Sequence, residues 1–239
     1  MRAVRWLAWA VGVLFLIGTA FQLVDILNLY ATPPDTGASN MVEQRLAVQG
    51  YRVAIWPIFF LNNMSFGIGF VALAGLGVAL AALLAPTDTR RTAIAVGLAV
   101  GGILGAVGQL ILIGATQVTI DLAYCDCGFK ETEIVSQIWG QMLLEGAKNW
   151  LVNAAAILAA IGILAVDAAF RARLPAAWSI VSWVTAIGLV ATVLVGVLQV
   201  GGDLGLYLLV IVSGVLVPLW TIWLGASIGP GSEPAAEPA

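Results

Sequence analysis

The sequence predicts an all-α, polytopic membrane protein, with six transmembrane helices in a bundle and both termini in the cytoplasm. Three observations lead there. The 239 residues are 61% apolar and only 10% charged, whereas a soluble domain carries about a quarter charged residues. Several apolar runs exceed the ~18 residues that read as a membrane span. Those runs are solid Ala, Val, Leu, Ile and Gly, unlike the ~10-residue alternating segments of a β-barrel, and a helix satisfies its own backbone hydrogen bonds in lipid.

The elements follow in order. A first span over about 6–30 rises from the basic start Met1-Arg2-Ala3-Val4-Arg5. A competing reading makes this stretch a signal peptide cleaved near Gly18-Thr19-Ala20, which leaves five spans. Thr32-Pro33-Pro34-Asp35 ends the first span, and 31–52 is polar enough to leave the membrane. Met41 to Val53 is expected to form a short surface helix there. The second span, about 53–85, carries Pro57 where a bend is expected and stops at Ala85-Pro86-Thr87-Asp88. The third covers about 92–121 and the fourth about 139–169, before Arg173-Leu174-Pro175. The fifth, about 176–202, ends at Gly201-Gly202, and the sixth covers about 205–227. These form one transmembrane domain over 1–228. Residues 229–239 have no apolar face and predict a disordered cytoplasmic tail.

Arginine placement sets the orientation. Threading six spans puts Arg2, Arg5, Arg90, Arg91, Arg171 and Arg173 on one side, and Arg45, Arg52 and Lys130 on the other. The positive-inside rule makes the first side cytoplasmic. Trp6, Trp9, Trp178, Trp183, Trp220 and Trp223 then mark the inner interface. Tyr30, Tyr51, Trp56, Tyr124, Trp139 and Tyr207 mark the outer one.

A phrase recurs where the odd-numbered spans end. Gln22 precedes Asp25 and Tyr30, Gln117 precedes Asp121 and Tyr124, and Gln199 precedes Asp203 and Tyr207. Spacings of three and four put each Gln and Asp on one helical face, and the recurrence suggests three repeated helical hairpins. As interfacial groups these residues need no special role, because an Asp at the hydrocarbon boundary reaches water. Against that, an Asp at a helix C-terminus has the wrong sign for the dipole. The aspartates call for a cation, from Arg45, Arg52, Lys130 or Lys148 or from a bound metal or cationic ligand. Glu145, Lys148, Asn149 and Asn153 on span four, Asn62 and Asn63 on span two, and Gln109 on span three converge on the same end. Polar groups inside a membrane normally face the bundle, where interhelical hydrogen bonding is their plainer use. Asp167 beside Arg171 reads as a surface pair.

The inner half offers only hydroxyls such as Thr19, Ser182, Thr185, Thr192 and Thr221. A conducting path needs polar groups along its whole length. The pattern therefore points to a polar pocket above a sealed apolar floor. Gly97, Gly101 and Gly105 form a double GxxxG, which lets two backbones approach closely, either inside the monomer or across a homodimer contact. Ala154-Ala155-Ala156 and Ala159-Ala160 supply a second smooth surface on span four.

The chain has no histidine, which removes His-ligated haem, His-based zinc sites and His-activated nucleophiles. Cys125 and Cys127 read as a strained disulfide for thiol exchange, as part of a soft-metal site, or as a local staple. No catalytic constellation and no cofactor is legible, and whether a metal binds is left open. The expected partners are the lipid bilayer, a small molecule or cation, and a second copy or another membrane protein. No basic patch suggests nucleic acid.

A long outer segment after span one, a short Arg-containing turn after span two, and Arg173-Leu174-Pro175-Ala176-Ala177-Trp178 opening span five resemble the layout of a bacterial six-helix family of unknown function. That resemblance implies the six-helix fold and a bacterial inner (plasma) membrane, and no activity. The expectation for function is an extracytoplasmic polar pocket for a small ligand, cation or partner. The alternatives are a small secondary transporter and a thiol-disulfide redox protein using Cys125 and Cys127.

Overall fold

Helix α1 (Arg2–Ile26) sits between two neighbours, and glycines explain how closely. A Cβ on Gly12 would lie 2.5 Å from the Ile222 side chain, and one on Gly18 would lie 3.1 Å from the Phe66 ring. One face of α1 therefore meets the last helix and another meets the second span. Phe15 stands edge-on to Phe66 and Phe70, with centroids 5.4 and 5.2 Å away, the arrangement ring quadrupoles favour. The stretch that could be read as a signal peptide is thus a packed member of the bundle.

The computed structural model describes residues 1–32, 41–123, 131–198 and 204–228. After α1 come α2 (Met41–Ala54), α3 (Trp56–Ala81), α4 (Thr89–Ile94), α5 (Gly101–Ala123), α6 (Glu131–Phe170), α7 (Ala176–Leu198), α8 (Leu204–Ile211) and α9 (Val217–Ser227). Widened π turns at Ala95–Val100 and Val212–Leu216 join α4 to α5 and α8 to α9. Among the described residues six helices are long and apolar enough to cross a membrane: Arg2–Ile26, Trp56–Ala81, Thr89–Val118, Ile138–Arg173, Ala176–Leu198 and Leu204–Ser227. No strand occurs among these residues. The fold is all-helical and multi-pass.

Each span packs on the next, α1 on α3, α3 on α5, α5 on α6, α6 on α7 and α7 on α8 and α9, and α9 returns to α1. The spans so close into a ring. They alternate in direction, which gathers Arg2, Arg5, Arg90, Arg91, Arg171 and Arg173 at one end. The expected surface helix is α2. Pro57 has no N–H for the carbonyl one turn back, and its ring crowds that carbonyl. The helix accordingly breaks at Ile55, outside the span, and Pro57 lies in the first turn of α3. Helix α6 begins at Glu131 rather than near 139. Its 40 residues extend ~60 Å at 1.5 Å each, about twice the ~30 Å hydrocarbon thickness.

One continuous apolar cluster seals the arginine-rich end. It includes Val4, Val11, Leu76, Leu80, Leu98, Val166, Trp178, Trp220 and Leu224. Leu98 is a knob between two holes, since a Cβ on either Gly77 or Gly162 would lie 2.7 Å from its side chain. Trp178 and Trp220 depart from the interfacial role expected of them. Both are 0% exposed and stack at 5.7 Å. A buried indole needs an acceptor, and each has one. The Trp220 N–H donates to Ser182 Oγ at 3.0 Å, and the Trp178 N–H donates to the Trp220 carbonyl at 3.4 Å. Trp6, Trp9 and Trp183 are exposed at the same end.

Asp167 also departs from expectation. It is 1% exposed, and Arg171 donates to one of its oxygens from the next turn. The other oxygen is buried without a partner. The surface pair is half-interior, because Asp167 lies on the buried face with Ile163 and Phe170 while Arg171 points out.

Candidate functional site

The end opposite the arginines is built differently. Its buried positions include Asn63, Ser65, Gln109, Thr116 and Gln141. Asn63 and Gly67 lie one turn apart on α3, and a Cβ on Gly67 would sit 3.6 Å from Gln109 Cβ. Gln109 and Thr116 are seven residues apart and share a face of α5. Asn63, Gln109 and Thr116 therefore line one seam between α3 and α5. On α1, Gln22 lies two turns beyond Phe15, on the face that meets α3.

The hydrogen bonding in this half is incomplete. Gln22 Oε1, Gln109 Oε1 and Thr116 Oγ1 are buried and have no partner. Gln109 is 7% exposed and Thr116 0%. A buried polar atom left unpaired costs about 1–3 kcal/mol, so each calls for a partner, whether water or ligand. All three are oxygens able to accept. Two donors nearby are committed. Asn63 Nδ2 donates to the Phe59 carbonyl at 2.7 Å, and Ser65 Oγ to the Leu61 carbonyl at 2.7 Å.

Helix α2 crosses over this end, resting on α3, α5 and α6. Its last turn carries two neighbouring polar side chains that point ~100° apart. Tyr51 donates to Asp25 Oδ1 at 2.6 Å, reaching α1. Arg52 pairs with Glu145, reaching α6, and its guanidinium lies 5.9 Å from the Phe59 ring centroid. Burial first, and the Asp25 carboxylate second, push the Tyr51 hydroxyl up to about 12. Asp25 thus meets a phenol instead of a cation, and Arg52 goes to the glutamate.

The structure brings some of the expected site residues together and leaves others apart. Gln22, Asp25, Asn63, Gln109 and Glu145 belong to the polar half or to its α2 cover. Asn62, Gln117, Lys148 and Asn153 are half-buried, and Asn149 is exposed on the outside of α6. Cys125, Cys127, Gln199, Asp203 and the tail 229–239 lie outside the described residues, as does the side chain of Asp121. Gly97 and Gly101 both face α6. Gly105 meets the Phe70 ring on α3, where a Cβ would come within 2.5 Å. A four-residue step advances 400° around a helix, so the third glycine turns away from the first.

Thr116 and Tyr51 are absent from the residues expected to form the site. The seven-residue step from Gln109 is the signal for Thr116. Tyr51 carries only its aromatic-belt signal, because its partner lies across a loop. No protein-family model matches the chain, and no curated protein and no solved structure matches it.

Proposed function

We propose that this protein is a bacterial inner-membrane receptor for a small cation or other donor-bearing ligand. The ligand is held in the polar half of the bundle and reached from outside the cytoplasm. The observation that carries this reading is the set of unpartnered buried oxygens, Gln22 Oε1, Gln109 Oε1 and Thr116 Oγ1. Unpaired acceptor oxygens suit an ammonium group, or a metal cation of the hard, oxygen-seeking kind. Binding without passage is favoured over transport because the apolar cluster fills the arginine-rich end. The arginines at that end support placing it in the cytoplasm.

The test is thermal unfolding of the purified protein in nanodiscs with chloride salts of sodium, potassium, ammonium, methylammonium and tetramethylammonium. A bound cation stabilises by about 2.7 kcal/mol at a hundred times its Kd. At least one salt is expected to raise Tm beyond the common ionic-strength effect, and Gln109→Leu is expected to abolish that increment. A uniform response to all five salts in both proteins ends the binding reading. Uptake of the stabilising cation into proteoliposomes would establish transport instead. A dithiol-linked activity lost in Cys125→Ser alone would establish the redox alternative.

A further inference from the structure

We infer that α2 is a hinged strap, latched by Tyr51–Asp25 and Arg52–Glu145, whose release opens the polar half of the bundle. This rests on the reading of that half as a binding site. It adds how the site is entered.

Four observations place the hinge and the latch. First, α2 and α3 are separate helices joined through Ile55, which has non-helical angles (φ −95°, ψ 11°). Ile55 is also 2% exposed, so the pivot is anchored in the bundle. Second, Gly50 lies within α2 one residue before the latch, and a Cβ there would meet nothing within 4 Å. It makes room for nothing, and it weakens the helix relative to Ala. The turn bearing Tyr51 and Arg52 thus lies between Gly50 and the non-helical Ile55. Third, α2 has 14 residues, is not among the helices long enough to cross a membrane, and rests on α3, α5 and α6. Fourth, the two polar contacts that tie α2 down go in opposite directions, to α1 and to α6. They span the ring over the unpartnered Gln109 and Thr116.

The experiment uses thiol accessibility, which needs no ligand. Thr116→Cys is introduced into the full chain with Cys125→Ser and Cys127→Ser, in nanodiscs, and its modification by a water-soluble cationic methanethiosulfonate is timed. Thr116 is fully buried and its hydroxyl has no partner, so the replacement is mild. Ala186→Cys, equally buried on α7, reports general breathing of the fold. Tyr51→Phe with Arg52→Gln is expected to accelerate Thr116→Cys modification about tenfold or more, from the loss of two charge-assisted hydrogen bonds. Gly50→Ala is expected to slow it. The Ala186→Cys rate is expected to stay the same in every background. An unchanged Thr116→Cys rate in the latch variants, or an equal acceleration at Ala186→Cys, overturns the strap. If the latch variants open the site but no cation stabilises the protein, the binding reading fails and the strap stands.

Discussion

Gly97 and Gly162 touch backbone to backbone: a Cβ on Gly97 would lie 2.5 Å from both the Cα and the N of Gly162. Backbone atoms cannot swing aside as a side chain can. Gly97→Val is therefore expected to cost several kcal/mol, above the ~1–3 kcal/mol of ordinary overpacking. Gly114→Val on the same span has open space around it and serves as the control. Thermal unfolding in detergent separates the two. Comparable losses would mean that this seam is not tight. Because Gly97 is used inside the protomer, the variant should lose stability without a change of oligomeric state.

Gln109→Leu should raise stability in the absence of added salts. It replaces an amide with an unpartnered buried oxygen by an apolar side chain of similar reach, removing a penalty of about 1–3 kcal/mol. A fall in Tm for Gln109→Leu would show that a tightly held occupant already satisfies Gln109.

Tyr51 gives a pH signature. Its ordinary pKa is near 10, and the fold raises it to about 12. A raised value means that the protonated phenol is favoured by the folded state. Its contribution is complete below about pH 10 and disappears as pH climbs through about 12. The difference in Tm between the unaltered protein and Tyr51→Phe should accordingly be constant at neutral pH and shrink between these values. A difference that is flat to pH 12 would place Asp25 away from the phenol.

Asp167 and Arg171 should respond unequally. Arg171→Gln leaves a buried carboxylate without its cation, a loss bounded above by the ~3–5 kcal/mol of a fully buried pair, because the Arg171 side chain is exposed. Asp167→Asn removes the charge and frees an exposed arginine to water, so it should cost less. Equal losses in denaturation would contradict the burial of Asp167.

Trp220→Phe removes the N–H that meets Ser182 and leaves part of a large side chain's volume empty. It should cost about 2–4 kcal/mol. Trp6→Phe, on an exposed side chain at the same end, should fall within ~0.5 kcal/mol of neutral. Intrinsic fluorescence during chemical unfolding reads both.

Much of the architecture was legible in the chain. Apolar runs longer than a bilayer crossing leave few alternatives to helices, and their number, order and alternating direction follow from length and from arginine placement. The break near Pro57 and the helix before it are also local effects, set by a missing N–H and a polar composition. The unused polarity of one half was visible too, since Asn63 and Gln109 are conspicuous in apolar surroundings. What was not legible depends on which faces meet. An apolar sequence does not distinguish a tryptophan facing lipid from one facing the core, because both environments are equally greasy, and Trp178 and Trp220 became core only when α7 met α9. Asp167 looked like a surface residue because its partner is one. Tyr51 and Asp25 stand 26 positions apart with a loop between them. Local chemistry determined the helices. The ring closure alone decided which polar atoms are paired and which are left over, because pairing is a property of surfaces brought together.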